Sequence, residues 1–184
     1  MVAPTLAALV AITVAGSGGE RIARERLRSC RLLGAAAVVR LSVGLPPLSA
    51  DSASAARVAV IAADALLTAF CLANWAARTC VFRMGLGLVL AGAALNAIPT
   101  VWAGAMPFSP SAAADARVSA AEIADPAVGH VALAGQPGAV AALSDVVPLP
   151  WLRSVASVGD IALLTGGAAL AGALLPRRRT TRRP

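Results

Sequence analysis

The amino-acid sequence predicts an all-α protein, a polytopic membrane helix bundle of about five transmembrane helices with one long extracytoplasmic loop. Hydrophobic residues make up 58% of the 184-residue chain and charged residues only 14%, whereas soluble domains average about 45–50% and about 25%. The mean hydropathy is correspondingly high, at +0.77. The apolar residues also fall into runs near the length of about 20 residues that a helix needs to cross the bilayer core. Together these three observations indicate an integral membrane protein.

Five apolar segments are predicted to span the membrane and to form one integral membrane domain, residues 1–176. The first has no basic residue before its apolar part, which is the reverse of a secretory signal peptide, so we predict an uncleaved span. Pro46 and Pro47 end the second because proline cannot continue the helical hydrogen-bond ladder. Pro99 is predicted to kink the outer end of the fourth. The predicted spans are residues 2–18, 32–48, 58–77, 84–102 and 158–175.

The distribution of arginine predicts the orientation of these spans. All 16 basic residues are arginine, and most of them lie in residues 20–31, residues 78–83 and the C-terminal tail, residues 177–184. Because basic residues are concentrated on the cytoplasmic side, we predict an N-terminus outside the cell, a cytoplasmic C-terminal tail and an outer loop over residues 103–157. Arginine without lysine in an Ala- and Gly-rich chain is typical of high-GC bacterial coding sequences, so the predicted location is the plasma membrane of a bacterial cell.

The net charge of +7 comes from arginines that flank apolar runs, as orientation signals do, and those of the tail also serve as a topology anchor. The predicted partner is the lipid bilayer, with anionic lipid bound at the arginine-rich tail, where each arginine contributes about 1 kcal/mol. Nucleic acid is not predicted, since the basic residues flank apolar runs and have no aromatic platform beside them. No metal and no cofactor are predicted either: Cys30, Cys71 and Cys80 lack a C-x-x-C spacing, and the single histidine adds only one ligand. A protein partner is not indicated by any motif.

Three polar residues are predicted to lie inside spans. Arg40 and Asp64 are placed at similar depth from the outer ends of their helices, and an ion pair between the second and third spans is favoured over a proton or ion relay. Asn96 is expected to hydrogen-bond across helices. Small residues on the fourth and fifth spans are expected to allow close helix packing; these are Gly92, Ala168 and Gly172.

The outer loop carries the candidate functional residues, which are His130, Ser144, Asp145, Pro148, Pro150, Ser157, Gly159 and Asp160. A hydrolase needs a nucleophile, a base and an orienting carboxylate, and all three residue types are present. However, no Gly-x-Ser-x-Gly elbow surrounds either Ser144 or Ser157, so no catalytic residue is assigned. A structural interpretation is that Ser157 caps the last helix and that Asp160 complements the helix dipole.

Several short motifs resemble a known family. They are Gly18-Gly19 before the Arg/Leu-rich block, Leu95-Asn96, Met106-Pro107, Gly129-His130-Val131, Leu143-Ser144-Asp145, Val147-Pro148-Leu149-Pro150 and Ser157-Val158-Gly159-Asp160. The pattern resembles an uncharacterised bacterial multi-pass membrane family, the domain of unknown function five-three-one-seven (DUF5317). The chain departs from the pattern at residues 102–105 and 138–140, where relatives tend to have polar residues. The resemblance implies the membrane class and topology, and it implies no activity.

The sequence therefore favours a non-catalytic structural, scaffolding or small-solute-handling membrane protein whose outer-face loop is its working surface. The alternative is a membrane-embedded enzyme that uses the Ser, His and Asp residues of the outer loop, and the sequence leaves the question of enzymatic activity open.

Overall fold

The computed structural model describes residues 30–42, 53–76, 79–124, 130–135 and 137–174. This part of the chain is mostly helical, with four long helices: α1 (Cys30–Ser42), α2 (Ala53–Trp75), α3 (Cys80–Ala103) and α7 (Val158–Leu174). Between α3 and α7 lie short elements: β1 (Met106–Phe108), α4 (Pro110–Asp115), α5 (Ala120–Ile123), β2 (His130–Ala132), α6 (Gly138–Leu143), β3 (Val147–Leu149), the 3₁₀ turn Pro150–Leu152 and β4 (Ser154–Ala156). We call the described residues from 104 to 157 the cap.

Two of the described helices are long and apolar enough to cross a membrane, judged by length and composition. They are Val58–Trp75, within α2, and Cys80–Ala103, which is α3. The apolar helix Val158–Ala173, within α7, is shorter. These three helices lie where the third, fourth and fifth spans are predicted. The predicted first span and the Pro46-Pro47 end of the second lie outside the described residues.

Side-chain and backbone caps fix the two ends of α3. Thr79 precedes the helix with an extended backbone, and its hydroxyl accepts a hydrogen bond from the Phe82 amide. Gly104 ends the helix in the left-handed conformation, with φ of 82°, and its amide donates to the Thr100 carbonyl. Pro99 is buried inside the helix, which continues past it to Ala103. At a rise of about 1.5 Å per residue, a helix of this length is long enough for a bilayer core.

Helices α3 and α7 are antiparallel and in direct backbone contact. A Cβ on Gly92 would lie 2.6 Å from the Gly159 carbonyl oxygen, and one on Gly166 would lie 2.7 Å from the Gly85 carbonyl oxygen. Real Cβ atoms do not approach so closely, so only glycine permits this spacing. The prediction that Ala168 and Gly172 allow close packing of the last helix is therefore corrected. Gly172 has no atom within 4 Å of an added Cβ and Ala168 is exposed, so neither contributes to the close approach.

The helices and the cap have separate apolar cores. The buried cluster between helices consists of Phe70, Cys71, Phe82, Leu86 and Val89. The buried cluster of the cap consists of Phe108, Ala112, Ala113, Ala116 and Val155. The segment that the sequence predicts as a long loop is thus a small folded unit with its own core and four short strands, and the all-α prediction needs that correction.

Strand β1 is the centre of the cap. Its three residues pair in parallel with β2, and the Phe108 carbonyl accepts from the Leu133 amide. On the other edge, Asp145 forms a bridge with Phe108: the Asp145 amide donates to the Pro107 carbonyl, and the Ser109 amide donates to the Asp145 carbonyl. A separate antiparallel hairpin, β3 with β4, leads directly into α7. Because α3 and α7 are antiparallel, the cap leaves and re-enters the helix pair at the same end.

Candidate functional site

Three buried or half-buried polar side chains form a ring where the cap meets the helices. The Ser157 hydroxyl donates to Asn96 Oδ1 at 2.7 Å, and Asn96 Nδ2 donates to Asp160 Oδ1 at 3.0 Å. The Asp160 amide donates to the Ser157 hydroxyl, and the Ser157 amide donates to Asp160 Oδ2. The last two bonds form a capping box at the start of α7. Ser157 therefore caps the last helix, as the sequence predicts, and Asn96 hydrogen-bonds across helices.

Gly159 makes room for this ring. A Cβ added to Gly159 would overlap Asn96 Oδ1 and would lie 2.8 Å from the Gly92 carbonyl oxygen. The motif Ser157-Val158-Gly159-Asp160 therefore combines a helix cap with the small residue that allows α3 to approach. These structural roles account for the residues of the motif, and no ligand is needed to explain them.

His130 and Asp145 come together on one face of β1. They are paired in register with Met106 and Phe108, two residues that share a face of the strand because side chains alternate along it. His130 Nε2 lies 3.2 Å from Asp145 Oδ2. Asp145 is buried and His130 is partly exposed. The buried carboxylate thus orients an imidazole that reaches the surface of the cap.

Burial raises the pKa of the Asp145 carboxyl group, and the charge of Asp160 raises it further, while the hydrogen bond from His130 lowers it. Oδ1 of Asp145 is buried and has no hydrogen-bond partner among the described residues. The raised pKa and the unpaired oxygen both follow from burial, since a buried carboxylate with only one oxygen hydrogen-bonded is poorly solvated.

The raised pKa of Asp145 predicts a pH-dependent effect of replacing it with asparagine. Ionisation costs the folded state more than the unfolded one, so the contribution of Asp145 to stability falls as pH rises from about 4 through the raised pKa. Asp145→Asn removes this decline and keeps an oxygen that accepts from His130. We expect the unfolding temperature of the variant, relative to wild type, to rise between pH 4 and pH 8 in detergent micelles. Asp115→Asn, at an exposed carboxylate, is the control; a difference for Asp145→Asn that is flat or falls with pH contradicts the prediction.

The other candidate loop residues make hydrogen bonds or occupy positions that stabilise the fold. The Ser144 side chain is fully buried and its hydroxyl donates to the Val140 carbonyl at 2.7 Å, at the end of α6. The Ser157 hydroxyl is engaged with Asn96, as described. Pro148 lies in β3 opposite Val155, and Pro150 begins the 3₁₀ turn of the hairpin. The structure therefore brings His130 and Asp145 together, while the hydroxyls of both predicted serines donate to other partners.

A surface pocket of about 380 Å³ lies entirely in the cap. Its polar part includes the side chains of Glu122, His130 and Arg153, and its apolar part is formed by valine and isoleucine. The full lining is Val118, Glu122, Ile123, His130, Arg153, Ser154 and Val155. This volume is within the range of about 300–1,000 Å³ that is usual for small-molecule sites. The pocket thus brings three ionisable side chains onto one concave surface of the cap.

Sequence reasoning missed Glu122, Arg153 and the buried Asn74. Glu122 had a usable signal, because Ser119 three residues earlier completes the Ser-x-x-Glu pattern of a capping box, and that box is present at α5. Asn74 is buried in α2 and donates to the Phe70 carbonyl at 2.8 Å. Arg153 enters the pocket wall through the β3–β4 hairpin, for which the sequence shows no strong pattern.

The predicted ion pair between Arg40 and Asp64 stays a prediction. Helices α1 and α2, which carry these residues, pack against each other, and Asp64 is half-buried. The side chain of Arg40 lies outside the described part of the structure. Across the described residues, no group of three or more His, Cys, Asp and Glu side chains could hold a metal ion.

The described residues define a mostly helical protein that has two helices long and apolar enough to span a membrane and a small folded cap at one end of α3 and α7. The chain belongs to the family of unknown function DUF5317, whose model matches residues 27–170. The predicted membership of this family is thereby confirmed, and the match includes the whole cap. No curated protein and no solved structure matches the chain significantly.

Proposed function

We propose that this chain is a non-catalytic integral membrane protein that handles a small solute, which it binds in the cap on the outer face of a bacterial plasma membrane. The pocket of about 380 Å³ carries this proposal, since its lining combines charged, polar and apolar residues. The working surface is thus the cap and not the helix bundle.

The exposed surface of the helices supports a membrane location. Large apolar side chains are exposed along α2 and α3, among them Ile61, Leu72, Val81, Met84, Ile98 and Val101. Many exposed large apolar side chains are costly in water and are expected against lipid. Exposed tryptophans lie at the ends, Trp75 at the end of α2 and Trp102 near the end of α3, where indole rings sit at lipid headgroups.

We further propose the five-span topology, with residues 1–176 as the membrane domain, the N-terminus outside and the tail 177–184 inside. Two facts support a cap outside the bilayer. Its backbone includes short strands and turns, which are not tolerated in contact with lipid, and it begins and ends at one end of the antiparallel pair of α3 and α7. Exposed charged residues, such as Asp115 and Arg117, lie on it.

Sided cysteine labelling tests this topology. The outer reporter is Ala114→Cys, on the exposed side of α4. The opposite reporter is the native Cys80, which is exposed at the start of α3. With the remaining cysteines replaced in each variant, an impermeant maleimide added to intact cells is expected to label position 114 and not Cys80. Labelling of Cys80 alone would overturn the proposed orientation. Labelling of both positions, or of neither, would show that α3 does not separate them across a membrane and would overturn the proposed topology.

The alternative, a membrane enzyme, is supported by one observation: Ser154 lines the same pocket as His130, whose Nε2 contacts Asp145. We do not prefer it because the Ser154 hydroxyl donates to the Val155 carbonyl at 3.3 Å, and the predicted serines are buried elsewhere. A thermal-shift screen of purified full-length protein against small polar metabolites tests the proposed function. Stabilisation by a solute that remains unchanged after incubation supports it. Covalent labelling by a fluorophosphonate that is lost in Ser154→Ala supports the enzyme instead.

A further inference from the structure

We infer that the cap pocket binds a compact zwitterion, with the anionic group of the ligand at Arg153 and its ammonium group at Glu122. This inference rests on the proposed function, and it adds the chemical class of the solute.

The first argument is that two opposite charges share the pocket without neutralising each other. Arg153 and Glu122 both line it, and both are exposed. Among the described residues, no ion pair joins the guanidinium of Arg153 to the carboxylate of Glu122. A ligand with a single charge would meet one attractive and one repulsive side chain, whereas a zwitterion satisfies both.

Each of the two side chains keeps donor or acceptor capacity for a ligand. Oε2 of Glu122 accepts one hydrogen bond, from the Ser119 amide at 3.3 Å, and a carboxylate has further acceptor positions. The guanidinium of Arg153 offers five N–H donors, a geometry suited to a carboxylate or a phosphate.

The rest of the pocket limits the size and polarity of the ligand. Val118, Ile123 and Val155 line the same pocket as the charged side chains. This favours a short apolar body attached to the charged groups. A free apolar amino acid has this chemistry, and so does the glycerophosphoethanolamine part of a lipid headgroup, which carries a phosphodiester and an ammonium group.

Arg153 provides a sharp variant with a matched control. Its backbone is left-handed, with φ of 47°, at the end of the β3–β4 hairpin turn, and glycine adopts this conformation more readily. Arg117, after α4, is also exposed and left-handed, with φ of 59°, but does not line the pocket. Arg153→Gly and Arg117→Gly therefore remove the same charge and relieve the same backbone conformation, and only the first alters the pocket.

The test is isothermal titration calorimetry of the full-length protein in detergent micelles with L-leucine, 4-methylpentanoate and 3-methylbutylamine. The last two probes each lack one charge of leucine. We expect leucine to bind and each single-charge probe to bind at least about tenfold more weakly. Arg153→Gly and Glu122→Gln are expected to weaken leucine binding by about tenfold or more. The glutamine retains an acceptor for the Ser119 amide, so the capping box at the start of α5 is kept.

Controls and a second probe separate the possible results. Arg117→Gly and Asp115→Asn are expected to leave binding unchanged. Glycerophosphoethanolamine is titrated in parallel: tighter binding than leucine assigns the site to a lipid headgroup, weaker binding assigns it to a free amino acid, and both support the inference. Equal binding of 4-methylpentanoate and leucine, or equal effects of Arg153→Gly and Arg117→Gly, overturns it. A singly charged or neutral solute found by the metabolite screen would overturn the zwitterion and leave the proposed function standing, whereas a screen without any binder overturns both.

Discussion

Replacing Gly159 with alanine is expected to lower the unfolding free energy by about 2–3 kcal/mol, which is a large effect for one methyl group. The added Cβ would overlap Asn96 Oδ1 and meet the Gly92 carbonyl at 2.8 Å. The helices must then separate, and the hydrogen bonds of Asn96 to Ser157 and Asp160 lengthen or break. Denaturant titration of the protein in mixed micelles, followed by tryptophan fluorescence, measures the loss.

Gly172→Ala is the matched control for this prediction. It makes the same chemical change on the same helix, at a site where an added Cβ has no neighbour within 4 Å. Alanine has the better helix propensity, so the control is expected to be neutral or slightly stabilising. Equal destabilisation by the two substitutions would show that the close contact of α3 with α7 does not depend on Gly159.

The second large effect is expected from Asn96→Ala, with a loss of about 3 kcal/mol in unfolding free energy. The substitution leaves the buried Ser157 hydroxyl and one oxygen of the Asp160 carboxylate without their partner. An unsatisfied buried polar group costs about 1–3 kcal/mol, and a charged one costs more. The same titration in mixed micelles measures the effect.

A double-mutant cycle with Ser157→Ala separates the ring from a simple loss of packing. Because the two side chains are hydrogen-bonded, their substitutions are expected to be non-additive by about 1 kcal/mol. Asn96→Ala combined with Asp145→Asn should be closer to additive, because the Asp145 side chain is coupled to the ring only through the charge of Asp160. Additive losses for Asn96 and Ser157 would contradict the ring as a cooperative unit.

The long helices were predictable from the sequence, but their ends were less so. The predicted span 84–102 lies inside α3, which begins four residues earlier at Cys80. Hydropathy detects the apolar residues, whereas the start of the helix depends on the Thr79 hydroxyl and a single hydrogen bond. Apolar runs therefore locate a helix but do not locate its N-terminal capping residue.

The fold of the cap could not be predicted from local patterns. Its strands are three residues long, and two of them, β1 and β3, carry a proline in the middle, which argues against a strand. The pairing of β1 with β2 joins residues 24 apart in sequence, from Met106 to His130. Such pairing is decided by tertiary contacts, in this case by burial of Phe108.

The candidate site was only partly predictable for the same reason. His130 and Asp145 were chosen by residue type. The structure brings them together because each pairs with β1, one on either edge, opposite residues that share one face of that strand. Ser144 is adjacent to Asp145 in sequence but is turned into the end of α6, where its hydroxyl bonds to Val140. Arg153 and Glu122 belong to one pocket only because the hairpin and α5 pack on the same cap core.

The short distance between the cap core and the last helix bears on how the chain is made. Val155 completes the buried cluster of the cap, and Ser157, two residues later, caps α7 and bonds to Asn96. During synthesis, a chain that ends before these residues has neither a finished cap nor a partner for the glycine face of α3. We therefore expect the cap and the helix pair to assemble in one late step, once these residues have been synthesised.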